Sequence, residues 1–399
     1  MTPPQSAALE DLWSTHNAAW RHPAQIASQW YEADSVAPQL LRCSAGRGWW
    51  DTLAAHRLTL LVTREYEHLL MALRAGARGP AVSFMPMPHP SGLAVDARRK
   101  TVHVASTRNP NVVFDLAPVA NLLAPRRRPR QRAADHPLVP VRSRYFPGCL
   151  YLHDLAFVGG VLHANAVGQN AVVRLATSGH YEAVWWPRCI DSPTGPRFDR
   201  NYLQLNSIAA GSDLASSFFS ASSATPSSRR PGHRNFPVDK RGVIFSGASR
   251  EPIAHGLTRP HSARLHGGKV WVCNSGYGEL GFIDRGAFVP VARLPGWTRG
   301  LCFRNGIAFV GTSRVIPRFR QYAPGLDVDS TVCGVHAVEV RSGKVLGSLL
   351  WPTGNQVFAI ESLPSSVTSG FPFVGGRARH HETNIFYSFV TKSAPEGDS

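Results

Sequence analysis

Two histidines, an asparagine and an arginine stand at matching points of a recurring pattern in this 399-residue chain. His153 opens the run HDLAF, Asn206 opens NSIAA, His261 opens HSARL and Arg299 opens RGLCF. Asp154 and Ser262 directly follow the two histidines, and Ser91, just after His89 and Pro90, opens a weaker copy, SGLAV. Two imidazoles and an amide oxygen can hold a divalent cation through nitrogen and oxygen ligands. His153, Asn206 and His261 are therefore a candidate set for zinc or calcium. An arginine among them favours instead an anionic group, a carboxylate or a phosphate. A third reading is structural: polar side chains at strand starts can simply hydrogen-bond to neighbouring strands.

Residues this far apart in sequence form one site only if the fold brings them together, and the repeat supplies the means. Each polar opening leads into a short apolar run, a tight turn and a second apolar run. The turns are Gly159-Gly160 before VLHAN, Gly267-Gly268 before KVWVCN and Asn305-Gly306 before IAFVGT. Gly-Gly and Asn-Gly tolerate positive φ and mark β-hairpins. Most copies continue into a second hairpin, as in GQNAVVRLATSGHYEAVW and GELGFIDRGAFVPVARLPG. A degenerate sixth copy begins near Phe358.

Six such units predict an all-β fold, a six-bladed β-propeller with a short, partly helical N-terminal extension. The expected organisation is an extension over 1–47, the propeller over 48–380 and a tail over 381–399. The hairpin from His56 to Gly76 is expected to supply the outer strands of the last blade and so close the ring. Two β-sandwich domains are the competing architecture. In a propeller the inner strand of every blade lines a central channel, so the six strand starts meet at one mouth.

Composition limits the remaining classes. Lys and Arg number 43 against 26 Asp and Glu, a formal charge of +17, and the hydrophobic share is 43%, enough for a sizeable core. No apolar run reaches the roughly 18 residues of a membrane span, and the N-terminus lacks a basic, then apolar, secretory pattern. A cytoplasmic protein without membrane contact is expected. The six cysteines are scattered with no CxxC pair, so they read as free thiols. No GxSxG, phosphate-binding loop or dinucleotide glycine motif occurs. The run from Arg126 to Arg132 is dense in charge but broken by Pro129, with no nucleic-acid-reading motif beside it. It reads as a solvated insertion, with an acidic protein partner as the alternative and no sequence-specific nucleic acid. The serine-rich stretch from Ser216 to Arg234 reads as a loop.

Successive blocks, including GWWDTLAAHRLTLLVTREYEHLL, PMPHPSGLAV, RYFPGCLYLHDLAF, GLTRPHSARLHGGKVWVCNSGYGELGFID and LPGWTRGLCFRNGIAFVGTS, resemble a bacterial family of conserved hypothetical proteins, a domain of unknown function. The resemblance runs over roughly residues 48 to 365, with PHS-x-R followed by SG-x-GEL as its most specific part. It implies a propeller and adds Arg264, Ser275 and Glu279 to the motif positions. The sequence departs from that family pattern at Asn201–Ser207 and at Val357-Phe358-Ala359. The architecture is also similar to gluconolactonase, strictosidine-synthase and amidating-lyase propellers, several of which place a metal or catalytic group at the channel mouth. Together these readings give a channel-mouth site of His153, Asp154, Asn206, His261, Ser262, Glu279 and Arg299. Its ligand is a small anionic molecule or a peptide, either bound or acted on by a metal-assisted hydrolase or lyase. A non-catalytic scaffold whose basic surface docks an acidic partner is the alternative.

Overall fold

The glycine-bearing turns fold as tight hairpins because both central residues take positive φ. Gly159 and Gly160 stand at 58° and 77°, Gly267 and Gly268 at 56° and 74°, and Asn305 and Gly306 at 51° and 79°. Two positive φ values in a row give the turn whose twist matches that of the flanking strands. The computed structural model describes residues 36–374, apart from 77–78, 109–110, 120–135, 228–230 and 232–234. Most of the 1–47 extension, the 126–132 arginine run and the 381–399 tail lie outside the described residues.

In chain order, a short strand β1 (Ser44–Ala45) precedes helix α1 (Trp49–Ala55) and strands β2 (Leu58–Arg64), β3 (Leu69–Gly76) and β4 (Gly79–Pro86). Blade 1 follows as β5 (Pro90–Asp96), β6 (Thr101–Ser106), β7 (Asn111–Pro118) and β8 (Leu138–Phe146). Blade 2 is β9 (Leu152–Val158), β10 (Val161–Ala166), β11 (Ala171–Leu175) and β12 (Tyr181–Trp185). Blade 3 is β13 (Leu205–Ala209), β14 (Phe218–Ala221), β15 (Gly242–Ser246) and β16 (Pro252–Leu257). Blade 4 is β17 (Pro260–His266), β18 (Lys269–Asn274), β19 (Glu279–Asp284) and β20 (Ala287–Arg293). Blade 5 is β21 (Trp297–Arg304), β22 (Ile307–Ser313), β23 (Gly334–Glu339) and β24 (Val345–Leu350). Last come β25 (Ile360–Pro364) and the short β26 (Phe373–Val374). Among the described residues these make six antiparallel sheets, and the inner strands β25, β5, β9, β13, β17 and β21 pack in that circular order. The molecule is a six-bladed β-propeller.

Closure draws on two strands from the C-terminal side, β25 at the inner edge and the short β26 beside β4 at the outer edge. β25 is the inner strand of blade 6 and pairs with β2 from Leu58↔Pro364 to Val62↔Ile360. β2 and β3 are thus the second and third strands, and β4 is the outermost partner within the four. The 56–76 hairpin does not form the outer pair, because the C-terminal segment contributes a single inner strand and leaves the second position to β2. Arg64 locks this seam: fully buried, it lies 4.7 Å from the Trp351 ring centroid and donates to the Leu40 carbonyl at 2.6 Å.

Helix α1 was not evident in the sequence pattern. It buries Trp49 and Leu53 completely at the seam of blades 5 and 6, with the Trp49 ring edge-on to Phe309 at 6.2 Å. The serine-rich stretch also holds more than a loop. Phe218–Ala221 forms β14, where Phe219 and Ala221 are buried and the hydroxyls of Ser220 and Ser207 hydrogen-bond at 2.5 Å. Alternation of large apolar and serine side chains, a strand signal, was masked there by composition. No helix among the described residues is long and apolar enough to cross a membrane.

Candidate functional site

The inner strands do not run regularly into the mouth. In β5, β9, β13, β17 and β21 the first residues carry one extra residue relative to the second strand, at Pro90/Leu93, Leu152/Leu155, Leu205/Ser207, His261/Arg264 and Thr298/Leu301. Such a bulge bends the strand and re-aims the side chains around it. It falls on the repeat openings, so the residues singled out in the sequence sit on bulges. Two of them need unusual backbone: Ser262 has φ 55° and Gly300 φ 83°. At Gly300 an added Cβ would also lie 2.9 Å from the Ile360 side chain.

Part of this polar collection staples the ring. Thr63 donates to the Ser91 carbonyl at 2.7 Å, and Ser91 donates to the Leu152 carbonyl at 2.7 Å. Asp154 accepts from the Ile208 N–H at 3.0 Å and forms a two-pronged ion pair with Arg264 at 2.7 and 3.1 Å. Asn206 donates to the Pro260 carbonyl at 2.9 Å, and Ser207 accepts from the Ala263 N–H at 2.7 Å. Ser262 accepts from the Gly300 N–H at 2.8 Å, and Ser313 accepts from the Val357 N–H at 3.1 Å. Every blade is thereby joined to the next through a polar side chain. Asp154, Asn206 and Ser262, expected as ligand-binding groups, are committed to this belt because the bulges leave backbone groups in need of partners.

The remaining residues gather at the mouth. The rings of His153 and His261 lie 6.0 Å apart between centroids, and both stand edge-on to Phe358, at 5.4 and 5.6 Å. Arg299 covers the other side of that ring, its guanidinium carbon 3.4 Å from the Phe358 centroid. Arg299 Nε donates to His261 Nε2 at 3.0 Å. That fixes the tautomer, since the proton of a neutral His261 must then sit on Nδ1, which faces Ser262 Oγ at 3.0 Å. With its amide oriented to satisfy both neighbours, Gln356 accepts from Arg299 NH1 at 2.9 Å and donates to Glu65 at 3.1 Å. Glu65 in turn accepts from Thr107. Glu67 fixes the Gln356 loop by accepting from the backbone N–H groups of Asn355 and Gln356, at 2.6 and 3.3 Å.

Electrostatics follow from burial. Arg299 and Arg259 are both driven down to about 10 by burial, so both remain protonated at neutral pH. Neither makes an ion pair with a carboxylate among the described residues; Glu65 reaches Arg299 only through Gln356. The same burial, with the positive field of Arg299 and Arg259, holds His153 and His261 well below the ordinary histidine range and therefore neutral. His153 differs from His261 in that its buried Nδ1 has no hydrogen-bond partner among the described residues, while the residue as a whole is half-buried.

Glu279 is not brought to this cluster. It lies on β19, the third strand of blade 4, and accepts from Asn274 Nδ2 at 2.8 Å. Of the expected metal set, His261 Nε2 receives the Arg299 N–H, and Asn206 Nδ2 donates to Ser222 Oγ at 3.2 Å and to the Pro260 carbonyl at 2.9 Å. Among the described residues no group of three His, Cys, Asp or Glu side chains is arranged to hold a metal ion. Phe358, Gln356, Glu65 and Arg259 were missed by sequence reasoning. A cue existed in TREYEHLL, where charged residues interrupt two apolar runs, and in the altered pattern at 357–359.

A model of the domain of unknown function DUF4915 matches residues 47–370. The chain belongs to the DUF4915 family. The matched span of this DUF4915 chain contains every residue of the mouth described above. No curated protein matches it in sequence. Among solved structures it is similar to a chain of a nidogen/laminin complex, with a TM-score of 0.50 and 8% identity, over 76% of this chain and 98% of the other. It is also similar to a putative gluconolactonase, with a TM-score of 0.42, 15% identity and coverage of 68% and 80%. A gluconolactonase from Xanthomonas campestris gives a TM-score of 0.41 at 12% identity, over 74% and 86% of the two chains. The likeness to the nidogen/laminin chain speaks for the fold alone.

Proposed function

We propose that the channel mouth binds a small anionic molecule and that Arg299 is the group that recognises it. One observation carries this reading: a buried guanidinium at the meeting point of the blades has no carboxylate of its own among the described residues. A buried charge without an ion pair is costly, and a bound carboxylate or phosphate supplies the missing partner through charge-assisted hydrogen bonds. Arg299 is held ready by Phe358 beneath it, His261 at Nε and Gln356 at NH1, which leaves NH2 uncommitted among the described residues. Arg259 adds to the same positive field. A divalent cation suits this environment poorly, because Arg299 already occupies the His261 lone pair and repels a second cation.

Titration calorimetry with acetate and with inorganic phosphate tests the reading. Binding of at least one at millimolar concentration is expected, and Arg299→Gln should weaken it about 10- to 150-fold, the value of a hydrogen bond to a charged group. Arg299→Lys, which keeps the charge but loses the planar fork, should fall between the two. If neither anion binds, or if Arg299→Gln binds as well as the parent, the proposal fails.

A second reading, a metal-free lyase or hydrolase acting on the bound anion, is favoured by His153. Its imidazole is neutral, its buried Nδ1 has no partner among the described residues, and its ring lies 6.0 Å from that of His261, the partner of Arg299; a neutral, unengaged ring nitrogen is what a general base needs. On that reading His153→Gln abolishes turnover while acetate still binds.

A further inference from the structure

Four blades open in the same way. His89, Tyr151, Gln204 and Arg259 each stand two residues before the polar opening of an inner strand, and each takes a positive φ, at 44°, 50°, 53° and 53°. Such backbone is costly away from glycine and gathers at active sites and ligand clamps. Equivalent positions in different blades lie at one level, so these four residues form a rim just outside Ser91, His153, Asn206 and His261. All four are half-buried. Burial lowers His89 to about 3, so Arg259 is the charged member of the rim at neutral pH. Its place relative to Arg299 is fixed twice. Along the chain it is two residues from His261, which accepts from Arg299 Nε at 3.0 Å. In space a run of rings links the two guanidinium groups. Arg259 lies 4.4 Å from the Tyr322 centroid, Tyr322 5.6 Å from Phe319, Phe319 6.2 Å from Trp297, and Trp297 5.8 Å from the Arg299 guanidinium carbon. Arg259 donates to the Pro231 carbonyl at 3.2 Å, while Asp239, on the neighbouring Thr258, accepts from the Thr258 and Tyr277 hydroxyls.

We infer that Arg259 is a second anion-binding group of the mouth and that the ligand carries two separate anionic groups, one for each arginine. The ligand class is a small dicarboxylate. Two held guanidinium groups favour two anionic groups over one shared between them. Arg299 is stacked on Phe358 and Arg259 on Tyr322, so each is kept to its own ring. Each also keeps N–H groups uncommitted among the described residues. Two like charges held near each other repel, and a carboxylate on each offsets that repulsion through charge-assisted hydrogen bonds. The diacid lies across the mouth, where the rim residues and His153 are half-buried and so reach solvent, and needs no enclosed cavity. This inference rests on the anion-binding reading above.

The test titrates the native protein with malonate, succinate and glutarate, and with the monomethyl ester of each. Acid and ester differ by one charge and little in size. At least one diacid is expected to bind about tenfold or more tightly than its ester, the value of a second hydrogen bond to a charged group. Arg259→Gln should bring that ratio to within about threefold. Equal affinities of acid and ester in all three pairs overturn the two-group ligand and leave anion binding standing. The same holds if none of the six binds while acetate or phosphate does. If no anion binds, both readings fall. A preference for the diacid that survives in folded Arg259→Gln protein puts the second carboxylate elsewhere and overturns the role of Arg259. Inorganic phosphate that outbinds every diacid and weakens equally in Arg259→Gln and Arg299→Gln means one shared anion, and that also overturns the inference. Should Arg259→Gln fail to fold, Arg259→Met, which keeps the stem over Tyr322, replaces it in the same comparison.

Discussion

Asp154→Ala is expected to cost about 3–5 kcal/mol of stability, the penalty for leaving one member of a buried ion pair uncompensated. The carboxylate side chain is 5% exposed and its Arg264 partner 15%. The substitution removes both prongs of that pair together with the acceptor for the Ile208 N–H, so blades 2, 3 and 4 lose a shared anchor. Among the described residues Arg264 is left with the Ile208 and Ala263 carbonyls as acceptors. The double replacement Asp154→Leu with Arg264→Met should recover most of the loss, because an apolar pair of similar volume removes both buried charges together. Urea unfolding of the three variants measures this directly. The belt assignment predicts that acetate or phosphate affinity changes little in folded Asp154→Ala protein. A variant of nearly native stability that no longer binds anions would return Asp154 to the ligand-binding set.

That contrast between Asp154 and Arg299 shows what the sequence could and could not say. The hairpin turns were legible because Gly-Gly and Asn-Gly report directly on positive φ. Five of the six inner strands were legible because a polar residue followed by an apolar run recurs in each. The division of labour among those polar residues was not legible. His153 and Asp154 are adjacent on β9, yet one faces the channel cluster and the other pairs with Arg264 on β17. Which of the two neighbours meets the channel depends on strand pairing and on the bulge between Leu152 and Leu155, which alternation along a single strand does not encode. Phe358 and Gln356 lie in the degenerate sixth unit, where a single inner strand crosses to close the ring, so no second copy revealed their positions. Glu65 and Glu67 come from the other end of the chain and reach the same loop only because β2 pairs with β25.

The closure seam and the candidate site are therefore one structure. The turn between β2 and β3, Glu65–Glu67, supplies Glu65 to the Gln356 amide and Glu67 to the backbone of Asn355 and Gln356. Pairing of the chain ends thus sets the position of the one amide that bridges Arg299 and Glu65. Blade closure in this fold does more than remove open sheet edges.

Acid should unfold the protein well before its carboxylates titrate, because several imidazoles are buried in the neutral form. Burial lowers His336 to about 4, where Thr312 and Ser348 hold its two ring nitrogens at 2.9 and 2.8 Å. Its unfolded counterpart protonates near 6.5, so below that pH the unfolded state binds the extra proton. The stability is complete about one unit above pH 6.5 and is lost as pH falls through 6.5 toward 4. For His336 alone the loss is about 2 kcal/mol by pH 5 and about 3 kcal/mol by pH 4, from roughly 1.4 kcal/mol per unit. His153 and His261 act in the same direction, as does His89, lowered to about 3 by burial and then by His68 and Arg108. Glu361 acts oppositely: burial raises it, so the folded state takes up its proton more readily and offsets part of the loss above pH 4.5. Asp115, held near 2 by His103, Arg144 and Arg142 against its burial, contributes only below about pH 4. Urea midpoints at pH 8.5, 7.5 and 5.0 should agree for the first two and fall sharply at the third. His336→Gln should shrink that fall by about 2 kcal/mol, since glutamine keeps hydrogen-bonding capacity but takes no proton. Equal midpoints at pH 7.5 and 5.0 would mean that these rings are solvated or already charged in the native state. The neutral imidazole at the channel mouth, and with it the general-base reading of His153, would then be lost.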